Sequence, residues 1–114
     1  MAILFTVYRA GDDPIVCYRA TTNNPAQPGD FVPYAEMRGA YRWPDEIYAI
    51  GVSTFDTARA AVAATRARYP YVAKLDLATG NPDVKWARTR SHGHVTLWAP
   101  PSVLLDCVVE ITER

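Results

Sequence analysis

The chain has 114 residues, of which 49% are hydrophobic, and its 12 basic and 12 acidic side chains give a formal net charge of +0. That length makes a single domain, 1–114, with one core, and the absence of any strong charge excess gives no firm indication of a nucleic-acid partner. No apolar run approaches the roughly 20 residues that a membrane helix needs.

The opening Met-Ala-Ile-Leu-Phe-Thr-Val-Tyr-Arg carries no basic leader, so it reads as a first strand and not as a signal peptide, and a cytoplasmic location is expected. Ile3, Phe5 and Val7 alternate with Leu4, Thr6 and Tyr8 up to Arg9, a pattern for a strand covered on both faces. Ala10-Gly-Asp-Asp-Pro14 is turn chemistry. Ile15 to Ala20 reads as a second strand, which predicts a β-hairpin over 3–20. Both strands carry the tripeptide Tyr-Arg-Ala, at 8–10 and 18–20.

Thr21 to Pro33 crowds Asn, Pro, Gly and Asp and predicts an exposed loop. Tyr34 to Trp43 reads as a short helix rich in aromatic and arginine side chains, ended by Pro44. Ile47 to Ser53 is a strand pattern, with Tyr48, Ile50 and Val52 on one side. Ser53 fits an N-cap and Asp56 completes a Ser-x-x-Asp capping box, which predicts the principal helix over about 54–68, where six alanines raise the propensity. Pro70 closes it. Tyr71 to Leu77 alternates cleanly, with Tyr71, Ala73, Leu75 and Leu77 facing inward. Thr79 to Asp83 is a turn, and Val84 to Arg88 reads as a short edge strand blunted by its basic residues. His94 to Ala99 alternates again, with His94, Thr96 and Trp98 on the side opposite Val95 and Leu97. Ser102 to Leu105 suits one helical turn after Pro100-Pro101, and Cys107 to Thr112 makes a last strand. The sum is a small α+β domain: a curved, partly split, mostly antiparallel sheet with one principal helix and short extra helical turns.

Cys17 and Cys107 form no Cys-x-x-Cys pair and read as buried thiols. Ten of the 12 bases are arginine, and residues 59–90 hold seven bases against only Asp76 and Asp83. Arginine suits phosphate and carboxylate recognition, so this stretch is one candidate surface. Segment 34–43 is another, for a protein partner. His92 and His94 have no third ligand at metal spacing, so no metal site is expected. A Ser53–His94–Glu110 triad is formally available, but Gly51-Val-Ser53-Thr-Phe lacks the second glycine of a nucleophile elbow.

Three motifs in order carry a family resemblance: Tyr8-Arg9-Ala10 on the first strand, Val52-Ser53-Thr54-Phe55 in the middle, and Val109-Glu110-Ile111 on a late strand. Here the chain resembles the ADP-ribosyltransferase-like superfamily, including its small RES-type domains. Those place a basic or histidine residue on the first strand, a Ser-Thr-Ser-like strand in the middle and a glutamate late. The Gly-Val-Ser-x-Phe-Asp and Gly-His-x-Thr-Leu-Trp segments are also similar to small bacterial proteins of undetermined role. The kinship implies a cleft that binds or uses NAD in a modification, toxin or defence setting. Arg9 and Glu110 would be catalytic, and Ser53, Thr54, His94, Trp98 and Tyr8 would bind the cofactor. Glu110 would stabilise an oxocarbenium-like transition state. Glu110 and Glu113 stand three apart and form no Glu-x-Glu pair, a departure that leaves room for a degenerate domain that binds without transfer. The alternative is a non-catalytic interaction domain acting through 34–43 or 59–90.

Overall fold

The structure, a computed structural model, describes residues 5–32, 50–65, 69–89 and 93–114. Its strands are β1 (Tyr8–Arg9), β2 (Val16–Thr21), β3 (Val52–Phe55), β4 (Tyr71–Asp76), β5 (Lys85–Arg88), β6 (His94–Trp98) and β7 (Val108–Glu113). The helices are α1 (Ala58–Thr65), α2 (Pro101–Leu105) and a 3₁₀ turn at Pro28–Asp30. The fold is α+β, as the patterning predicts. All strand pairs are antiparallel, in the order β1-β5-β6-β3-β2-β4-β7.

The ladder is uneven. β2 pairs with β4 at six positions, Val16↔Asp76 through Thr21↔Tyr71, whereas β2 and β3 share the single pair Tyr18↔Phe55. The sheet is therefore two half-sheets, β1-β5-β6-β3 and β2-β4-β7, joined at one point.

Alternation assigns the faces. Cys17, Val52, Leu75, Trp86, Val95 and Leu97 point to one side and meet Phe31, Leu104 and Cys107 in the main core. That burial of aliphatic and aromatic surface is the principal stabilising term. On the other side Ala20 faces Val72, both are buried together with Ala61 of α1, and α1 lies against β2, β3 and β4. α2 lies against the 3₁₀ turn. Cys17 and Cys107 are buried free thiols. No helix among the described residues is long and apolar enough to cross a membrane.

Four expectations need correction. The 3–20 hairpin does not form: β1 pairs with β5, and the 10–14 turn closes through Asp12 and Asp13 N–H to Arg9 O and is tied to the 79–83 turn by Gly11 N–H to Pro82 O. For the same reason β5 is no edge strand; it lies between β1 and β6. The helix starts later than Ser53, because β3 keeps pairing with β6 through Phe55↔His94. Its cap is Thr57, whose hydroxyl accepts from Ala60 N–H at 3.1 Å. Finally, the 21–33 stretch is not simply an exposed loop, since Ala26, Asp30 and Phe31 are buried. The remainder of the expected helix at 66–68, the segment 34–43 and residues 47–49 lie outside the described residues.

Candidate functional site

Ser53 and His94 come together because β3 and β6 are antiparallel neighbours, with Ser53 opposite Thr96 and Phe55 opposite His94. Their side chains share the face away from the main core, and Ser53 Oγ lies 2.8 Å from His94 Nε2. The other ring nitrogen, Nδ1, lies 2.8 Å from Thr89 Oγ1, which in turn lies 2.5 Å from Thr96 Oγ1. Phe55 stands edge-on to the imidazole, centroids 5.2 Å apart. The backbone fixes the same corner: Thr89 N–H donates to His94 O at 3.1 Å, and Asp56 N–H to Gly93 O at 2.9 Å. Gly93 takes φ +85, and a Cβ there would press on Asp56 Oδ1 at 3.1 Å, so the turn into β6 favours glycine.

A hydroxyl has one proton to give, so the chain Ser53–His94–Thr89–Thr96 has a direction. If Thr89 donates to Thr96, it accepts from His94 Nδ1–H; Nε2 then accepts the Ser53 proton and Ser53 presents lone pairs to a ligand. If the chain runs the other way, Nε2–H donates to Ser53, whose own proton points outward. Thr89 thus couples the tautomer of His94 to Thr96, and that tautomer decides what Ser53 offers. Thr89, His94 and Thr96 are all buried, while Ser53 is half-buried, so Ser53 is the accessible end of the chain.

Thr54 points to the other face, where its hydroxyl donates to Val95 O at 2.8 Å. It is a core group and not part of the Ser53–His94 corner. Trp98 shares the His94 face but lies at the far end of β6, stacked on Phe5 at 5.6 Å. Tyr8 stacks on Trp86 at 4.5 Å on the core side.

The structure does not bring Arg9 and Glu110 to this corner. Arg9 lies on β1, one edge of the sheet, and Glu110 on β7, the opposite edge. At about 4.8 Å per strand step, the three steps from β3 to β7 put Glu110 roughly 14 Å from the Ser53 strand. Glu110 is exposed and sits opposite Lys74. Arg9 is engaged at the surface, 3.1 Å from Asp12 and 3.0 Å from Asp83; the Asp12 hydrogen bond and charge, then Asp83, push its pKa up.

Another arginine, Arg19, lies on the strand next to Ser53. Arg19 on β2 shares the core side with Cys17 and Thr21, and its half-buried side chain crosses the gap between the half-sheets. Its Nη1 donates to Ser53 O at 2.6 Å and its Nε to Asp30 O at 2.5 Å. The sequence held one signal for it: Arg19 sits in the second copy of Tyr-Arg-Ala.

The described basic residues of the stretch 59–90 lie on three elements. Arg59 is on α1, Lys74 on β4, Lys85 and Arg88 on β5, and Arg88 is spent partly on Asp56 at 3.4 Å. Among the described residues no cluster of three His, Cys, Asp or Glu groups is placed to hold a metal ion; His92 lies outside them. No protein family, curated protein or solved structure matches the chain.

Proposed function

We propose that the chain is an ADP-ribosyltransferase-like domain that binds NAD at the split in its sheet. The carrying observation is the Arg19 bridge: a basic side chain on the strand next to the Ser-Thr strand reaches the backbone of Ser53 through a gap in the ladder. The resemblance calls for a basic or histidine residue on the first strand, a Ser-Thr strand in the middle and a glutamate on a late strand. Around β3 the basic residue is Arg19, on β2 and not on the first strand, and the late-strand neighbour of Ser53 is His94 on β6 and not a glutamate; the three strands are consecutive in the sheet. Arg19 brings positive charge suited to the cofactor's pyrophosphate. Ser53, oriented by His94, offers a hydroxyl to a ribose or amide group. Glu110 is too far along the sheet to act with them, and this favours cofactor binding over Glu110-dependent transfer.

Calorimetric titration with NAD tests the reading. Saturable binding is expected, weakened about tenfold or more by Arg19→Lys, the equivalent of about 1.4 kcal/mol. Ser53→Ala should weaken it by the worth of one hydrogen bond, about 0.5–1.5 kcal/mol. Arg9→Ala and Glu110→Gln should leave it unchanged. Absence of saturation at millimolar NAD in the unaltered protein sinks the proposal.

A further inference from the structure

The loop that follows β2 is built around a single buried carboxylate. Asp30 Oδ1 accepts from Thr22 N–H at 2.8 Å, and Oδ2 from Gln27 N–H at 2.8 Å and Asn23 Nδ2 at 3.1 Å. Asp30 N–H donates in turn to Gln27 O at 2.9 Å. The next residue, Phe31, is fully buried in the main core. Asp30 is thus held on both sides, by donors of its own loop and by the anchor that follows it. Its carbonyl oxygen, fixed by that arrangement, is the one that receives Arg19 Nε at 2.5 Å.

We infer that Asp30 is a positioning residue for Arg19: by closing the 22–30 loop it presents the carbonyl that, together with Ser53 O, holds the guanidinium across the gap between the half-sheets. A long side chain such as arginine loses rotamer freedom when it is fixed, and a ligand that meets it already fixed does not bear that cost. Closing the loop alone does not require its carbonyl to face β2. The two Arg19 bonds, to acceptors 34 and 11 residues away in sequence, make the loop and β3 the two arms of one clamp. As a contribution to ligand affinity this rests on the NAD reading of the split; as a statement about Arg19 it does not.

The test therefore reads Arg19 first and the ligand second. In ¹⁵N NMR spectra the Arg19 Nε–H resonance, identified by its loss in Arg19→Lys, should exchange slowly with solvent in the unaltered protein. Asp30→Asn, which turns one acceptor oxygen into a donor facing either Thr22 N–H or Gln27 N–H, should speed that exchange at least tenfold and weaken NAD binding at least tenfold. The amide resonances of β5 and β6 should stay in place. Should Asp30→Asn not fold, Asn23→Ala removes one donor at an exposed position and should speed the exchange about twofold to threefold. Fast Nε–H exchange in the unaltered protein, or slow exchange that neither variant alters, overturns the inference. If Asp30→Asn releases Arg19 while the unaltered protein binds no NAD, the clamp stands and the cofactor reading alone falls.

Discussion

Replacing Thr89 by valine exchanges a hydroxyl for a methyl group of nearly the same volume, at a position where the hydroxyl serves two buried partners. Thr89 Oγ1 lies 2.8 Å from His94 Nδ1 and 2.5 Å from Thr96 Oγ1, and the three residues are 4%, 4% and 0% exposed. Packing is conserved, so the cost is polar. Leaving buried polar groups facing a methyl costs about 1–3 kcal/mol; with both hydrogen bonds removed, about 2–3 kcal/mol is expected. At roughly 4 °C per kcal/mol for a domain of this size, the midpoint of thermal unfolding should fall by about 8–12 °C. Urea unfolding, with the slope m checked for constancy, supplies the free energy. Thr89→Ser keeps the hydroxyl and gives up one methyl, about 0.8 kcal/mol, so it should recover most of the loss. A Thr89→Val protein within about 0.5 kcal/mol of the unaltered one, the ordinary range of a surface change, would mean that the chain Ser53–His94–Thr89–Thr96 carries no stabilisation, and the tautomer argument would lose its support.

Two further outcomes follow from the core. Burial pushes the Cys17 thiol up to about 12. An unfolded cysteine ionises near 8.5, so between that pH and about 12 the folded state holds the proton and the unfolded state does not. Stability present below pH 8.5 should decline through this window, and Cys17→Ala should decline less steeply in alkaline urea titrations; identical slopes would refute the assignment. Gly80 abuts Cys107: a Cβ there would overlap Cys107 Sγ. Gly80→Ala should cost about 1–3 kcal/mol through overpacking, and a double-mutant cycle with Cys107→Ala should return a favourable coupling, since the second change makes the room that the first one needs. Strict additivity would count against that packing.

The strands and the helix were legible where local alternation decided them. Tyr71 to Leu77 and His94 to Trp98 carry period-2 patterns long enough to fix which side meets the core, and Ala73, Leu75, Val95 and Leu97 are fully buried as that pattern requires. The errors arise where two local readings compete and distant pairing chooses between them. Ser53 suits both a strand end and an N-cap; β6, far along the chain, holds 52–55 as a strand, and the cap falls to Thr57. The turn at 10–14 suits a hairpin, yet β1 is taken by β5. Arg9 and Arg19 occupy the same tripeptide. Only the strand order, set by pairings dozens of residues apart, puts one at an edge and the other beside Ser53.

That strand order also explains why the gap matters. In a continuous antiparallel ladder, the register Tyr18↔Phe55 would set Arg19 opposite Thr54 on the core side, with Ser53 facing away from it. A ligand could then touch the Arg19 side chain or the Ser53 hydroxyl, but not both, because the backbone of β2 and β3 would lie between them. Ending the ladder after one pair forfeits further strand-to-strand hydrogen bonds. The Arg19 bond to Ser53 O replaces one of these with a charge-assisted bond, stronger than a neutral one. The exchange leaves the Arg19 guanidinium on the backbone oxygen of Ser53, whose hydroxyl is turned to His94. Filling the gap with a continuous ladder would add strand-to-strand hydrogen bonds and displace the Arg19 bridge on which the proposed site rests.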